Sequence, residues 1–323
     1  MAWQPQSQLW PKQTAVLFIH GIGTAKPGHY DSLLKEFDQC VGPAVAPGIA
    51  KYCIYYDDLN DWFQDKVGLG AQLSAVQSFV SAEVGKETAP DLGAAVAAYL
   101  GDVMLPILNE AARIAVRDRI IAQLQRIRLD GNKSGVQYQN QRISIVCHSM
   151  GCFHTYEALH AAADNPDLKL MPISDMMKFR SVQFMASPVQ LIRTVAGKLG
   201  AIVPKGNLAT LSDQGLFRPF EKNAVTGQPE FSVRDWVSIA GDLDPVGGHF
   251  FKKKVAWAYM APPGQNGLID DQKSLNIKDK MDLIGILTDI ALKGEASPEI
   301  LRDPHSWSNY IANHAPQMAQ WLS

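Results

Sequence analysis

The chain has 323 residues, 46% of them hydrophobic and 19% charged, with a formal net charge of −2. That length supports one large buried core, and the composition is ordinary for a globular protein. Neither sign of charge forms a long block, and the densest basic run is only Lys252-Lys253-Lys254, so a nucleic-acid partner is not expected.

The four cysteines, Cys40, Cys53, Cys147 and Cys152, have neither the CxxC spacing of a zinc site nor the density of a disulfide scaffold. No other His/Cys/Asp cluster has metal-ligand spacing, so no metal is expected. The first twelve residues lack the basic start and apolar core of a secretory signal. The most apolar stretch, 92–108, is broken by Asp102 and Pro106 and is too short to span a bilayer. The expectation is therefore a cytoplasmic protein without a transmembrane segment.

Short β-branched runs alternate with longer segments of helical period. That is the α/β pattern: a mostly parallel central sheet with helices on both faces. The first predicted strand, 15–19, runs into the glycine-rich turn His20-Gly21-Ile22-Gly23. Tyr30, Leu33, Leu34, Phe37 and Val41 then recur at helical spacing. A second strand is predicted at 52–56. Residues 60–109, rich in Ala, Val and Leu, read as a helical insertion packed on the sheet.

Ile120, Ile121, Leu124 and Ile127 mark a helix before the third strand, 143–147, and Phe153, Tyr156 and Leu159 mark one directly after it. A fourth strand is predicted at 182–185. The irregular segment 189–234 has two readings, a lid or cap over a site and simple packing at the sheet edge. A fifth strand follows at 236–239. Trp307, Tyr310, Ile311, His314, Met318 and Trp321 form the apolar face of a closing helix. No repeat or linker divides the chain, so residues 1–323 read as a single domain.

The chemistry concentrates where the third strand ends, at Cys147-His148-Ser149-Met150-Gly151. A strand entering a sharp turn and then a helix is the context of the G-x-S-x-G nucleophile elbow, here with Cys147 in place of the first Gly. The turn brings the residues two before and two after the serine together, so both must be small. The helix opening just past Ser149 aims its unpaired N–H groups at the reaction centre. Ser149 as an ordinary helix N-cap is the bland alternative. Acyl chemistry also needs two N–H donors for an oxyanion. Met150, after the nucleophile, supplies one, and Ile22, between Gly21 and Gly23, supplies the other, with His20 bracing the loop.

The pieces His20-Gly21-Ile22-Gly23, Tyr55-Tyr56-Asp57-Asp58, Gly101-Asp102-Val103 and the elbow resemble the lipase/serine-esterase branch of the α/β-hydrolase superfamily. The resemblance implies the α/β-hydrolase fold, a Ser–Asp–His triad and no cofactor. In that fold the acid follows a later strand, and two aspartates compete after 236–239. Asp244-Pro245-Val246 is similar to the family's acid turn, so Asp244 is taken over Asp242. The base belongs in the loop before the last helix. His305, in Asp303-Pro304-His305-Ser306, fits, because Pro304 stops any helix running through that point.

Of the other histidines, His314 is the runner-up and His249 lies too close behind the acid. His148 points away from the nucleophile, and His29, His154 and His160 are read as lying on helix or loop surfaces. The expected function is a serine hydrolase that cleaves a carboxylic ester, with a small-molecule or lipid ester as substrate. Ser149 attacks, His305 takes and returns the proton, and Asp244 orients the imidazole. A thioesterase or acyltransferase would use the same residues, and a hydrolase-like binding scaffold would leave the serine idle.

Overall fold

A computed structural model describes residues 3–21, 28–56, 58–59, 110–164, 179–188, 220–222, 229–231 and 233–239, with 307, 310, 311, 318 and 322. Among these residues the main sheet has five strands: β1 (Thr14–Ile19), β2 (Ile49–Ile54), β3 (Arg142–His148), β4 (Phe179–Met185) and β7 (Val233–Ile239). They lie in the order β2-β1-β3-β4-β7, and every neighbouring pair is parallel. Two short strands, β5 (Phe220–Lys222) and β6 (Pro229–Phe231), form a separate antiparallel pair.

The apolar run Ala15-Val16-Leu17-Phe18-Ile19 has no exposed residue, because β1 is covered on both faces. One face packs Val16, Phe18 and Val146 under α1 (His29–Val41) through Tyr30, Leu33 and Phe37, joined by Trp307, Tyr310, Ile311, Met318 and Leu322. The opposite face meets α2 (Glu110–Lys133) and α3 (Met150–Asp164). Tyr52 fixes that assignment. It pairs in register with Leu17, whose side chain shares its face, and its hydroxyl donates to Asp130 of α2 at 3.2 Å.

Among the described residues the predicted alternation stands, but several bounds move, the fourth strand beginning at Phe179 rather than 182. The second strand lies at Ile49–Ile54 rather than 52–56, because Ile49 and Ala50 pair with Thr14 and Ala15. Tyr55 and Tyr56 therefore fall beyond the strand. The fifth strand begins at Val233, inside the segment read as irregular, and that segment also contains the β5–β6 pair. The insertion 60–109 lies outside the described residues. Among the described residues, no helix is long and apolar enough to cross a membrane.

Among the described residues β2 is an edge strand, and a polar strap runs along it. Gln6 Oε1 accepts the N–H of Cys53 at 2.8 Å, and Gln8 Nε2 donates to the carbonyl of Lys51. These side chains occupy edge groups of β2 that would otherwise recruit another strand. The strap is tied to α2, where Gln123 bonds the backbone of Gln6 and Asp130 accepts from Ser7 Oγ and the Gln8 amide.

Candidate active site

β3 delivers the chain to the site. Ser149, the first residue past the strand, has φ 53°, and α3 starts at Met150. A left-handed backbone costs a serine roughly 1–3 kcal/mol, and such strain persists only where surrounding contacts impose it. Here the Ser149 amide donates to the Met185 carbonyl of β4 at 2.9 Å, and the Cys152 amide donates back to the Ser149 carbonyl at 2.9 Å. The serine is thereby held between a strand end and a helix start. As the first helical residue, Met150 has its N–H outside the i→i−4 ladder.

The glycine loop presses against this turn. A Cβ on Gly21 would lie 2.6 Å from Ser149 Cβ and 3.0 Å from Ser149 Oγ. A Cβ on Gly151 would lie 2.5 Å from the Ile19 carbonyl oxygen and would also strike that of His20. Each glycine is thus required by a close approach, Gly21 to Ser149 and Gly151 to the end of β1. The two motifs, 128 positions apart in the chain, are in van der Waals contact.

The cysteine at the first small position of the elbow packs inward. Cys147 is fully buried, with Sγ 3.4 Å from the Gln183 carbonyl. Cys152 is also buried, and burial followed by its bond with Cys147 raises its thiol well above the usual range. It therefore stays protonated and is a poor rival nucleophile.

His148 stacks on Trp307, with ring centroids 5.6 Å apart and planes at 15°, and meets Tyr310 edge-on. His20 turns its ring onto Tyr56 and bonds the carbonyl of Gly21 through Nδ1. His154 corrects the sequence reading. Instead of lying on a helix surface it is completely buried between the rings of Tyr56 and Phe153, and neither ring nitrogen has a hydrogen-bond partner among the described residues. Burial, then the charges of Arg113 and His20, lowers its pKa to about 3, so it is a neutral imidazole. Nearby, Arg113 of α2 and Glu157 of α3 form a buried ion pair at 3.6 Å.

The structure thus gathers His20, Gly21, Ser149, Met150 and Gly151 at the carboxyl end of β1 and β3. Ile22, Gly23, Asp242, Asp244 and His305 lie outside the described residues. Two site-forming residues, Tyr30 and Tyr56, escaped the sequence reading, which took one as an apolar helix position and the other as a strand residue. Their only signal was a hydroxyl at a core position. Comparison with family models, curated proteins and solved structures finds no match to this chain.

Proposed function

We propose that the chain is a serine hydrolase of the α/β-hydrolase type, acting on a carboxylic ester through an acyl-enzyme on Ser149. The observation that carries this reading is the strained Ser149 turn between β3 and α3, packed directly against Gly21. An ordinary N-cap serine needs neither a left-handed backbone nor a glycine loop from another strand pressed to its side chain.

In the proposed reaction His305 takes the Ser149 proton and Ser149 Oγ attacks the ester carbonyl. The Met150 and Ile22 amides receive the oxyanion, and the alcohol leaves with the proton from His305. Water, activated by the same imidazole, then releases the acid. Asp244 orients the imidazole and stabilises its charged form.

Connectivity supports these roles. Trp307, two positions after His305 in the chain, stacks on His148, the neighbour of Ser149. β7, the strand that precedes the two candidate aspartates in the chain, lies two strands from β3.

The test is reaction with a fluorophosphonate, followed by peptide mapping. The wild-type chain should be labelled at Ser149. Ser149→Ala should remove labelling and reduce ester turnover on the order of a millionfold without loss of fold. A folded, unlabelled wild-type chain would leave a binding scaffold and end the hydrolase reading.

A further inference from the structure

His20 carries the chain from β1 into the glycine loop, and both its backbone polar groups end on tyrosine hydroxyls. Its N–H donates to Tyr30 Oη at 3.1 Å, and the Tyr30 hydroxyl donates onward to the Ile54 carbonyl at 2.8 Å. Its carbonyl accepts from the Tyr56 hydroxyl. Ile19 and Ile54 are the last paired residues of β1 and β2, so the Tyr30 oxygen stands where that ladder stops. It separates the two strands there while leaving both backbone groups bonded.

On its other side the same His20 carbonyl lies against Gly151, where no side chain fits. Tyr30 and Tyr56 are both buried, the Tyr56 ring stacks on His20 at 4.5 Å, and Tyr30 meets the same ring edge-on. Burial also keeps the Tyr30 phenol protonated, so it accepts one bond and donates another. Phenylalanine would fill either place without a hydroxyl to satisfy, so packing alone does not call for tyrosine here. What the hydroxyls add is direction: they set the position of the His20 peptide groups one residue before Gly21.

We propose that Tyr30 and Tyr56 are positioning residues that clamp His20 between α1, the end of β2 and Gly151, and thereby fix Gly21, where the glycine loop begins, beside Ser149, a placement on which the loop's proposed oxyanion donor depends. This rests on the hydrolase reading of Ser149. Without the Tyr56 hydroxyl the His20 carbonyl loses that bond, and the peptide before Gly21 is held less firmly. Such a fault weakens the transition state and leaves ground-state binding alone.

The experiment compares wild type, Tyr56→Phe and Tyr30→Phe in the full chain, using a short-chain p-nitrophenyl ester and a fluorophosphonate. Direct loss of an oxyanion donor costs about 100- to 1,000-fold, so a misaimed donor should lower kcat by roughly 10- to 100-fold with KM within about twofold. Fluorophosphonate labelling of Ser149 should slow in parallel, while thermal unfolding shows that the variants remain folded.

Wild-type kcat in either folded variant, or a rise in KM with kcat unchanged, overturns the clamp. Should Tyr56→Phe fail to fold, Tyr30→Phe decides by the same split. A wild-type chain inert to fluorophosphonate defeats the underlying hydrolase reading and the clamp with it. A reactive wild type beside equally reactive variants defeats the clamp alone.

Discussion

Two adjacent strands of the sheet end in the same backbone device. After β3, Ser149 has φ 53° and its amide bonds the last residue of β4; after β4, Ala186 has φ 53° and its amide bonds Ile239, the last residue of β7, also at 2.9 Å. Their surroundings then diverge. Ser149 opens directly into α3 and touches Gly21, whereas Ala186 is buried in the core cluster that also holds Met185 and Trp307, and is followed by Ser187-Pro188. A left-handed turn at the carboxyl end of a parallel strand is therefore a structural solution that the fold uses twice. What sets the first apart is a hydroxyl, a helix start and a glycine loop at one point.

That difference can be tested most severely through the loop contact. Gly21→Ala should destabilise the protein by about 2 kcal/mol or more, since its new methyl meets Ser149 at 2.6 Å. In a Ser149→Gly background the obstruction is gone, and most of that loss should disappear. A double-mutant cycle by urea denaturation measures the coupling, and additive losses would mean that the two residues are not in contact.

A second, somewhat smaller effect distinguishes the α3 side of the turn. His154 has a folded-state pKa of about 3, below its ordinary value of about 6.5 in the unfolded chain. Between those values the unfolded state binds the extra proton, so stability falls as pH falls through that window. From pH 7 to pH 5 this group alone should remove about 2 kcal/mol. His154→Leu should abolish that part of the slope while costing little at pH 7, and an unchanged slope in urea titrations would show that His154 is not the buried neutral group.

The smallest effects compare the two turns directly. Ser149→Gly relieves left-handed strain at a residue whose side chain serves the proposed reaction, so it should stabilise by up to about 1 kcal/mol. Ala186→Gly relieves similar strain but removes a buried methyl, worth about 0.8 kcal/mol, and should come out near zero. Equal shifts at both sites would show that Ser149 is no more a functional compromise than Ala186.

Much of the architecture was legible because parallel strands covered on both faces read as unbroken apolar runs, as at 15–19 and 143–147. The boundaries of β2 were not. Lys51 interrupts the apolar pattern, and Tyr55-Tyr56 looks as strand-like as Tyr52. The extent of α2 was also hidden, since its buried stripe includes Arg113, Gln123, Arg128 and Asp130. Those side chains are satisfied by distant partners such as Glu157, Gln6 and Tyr52, which no local window contains. The burial of His154 escaped for a related reason: besides its chain neighbour Phe153, the groups around the imidazole, Tyr56 and Arg113, come from distant parts of the chain.

By itself the sequence determined the alternation of strands and helices, the strand–serine–helix elbow and the glycines after β1, because each follows from local size, polarity and period. Tertiary structure alone decided that Gly21 meets Ser149, that Gly151 admits the His20 carbonyl and that two tyrosines hold that residue in place. Those are contacts between strands, helices and loops far apart in the chain, and their geometry depends on the order in which parallel strands are laid side by side, which no stretch of residues specifies on its own.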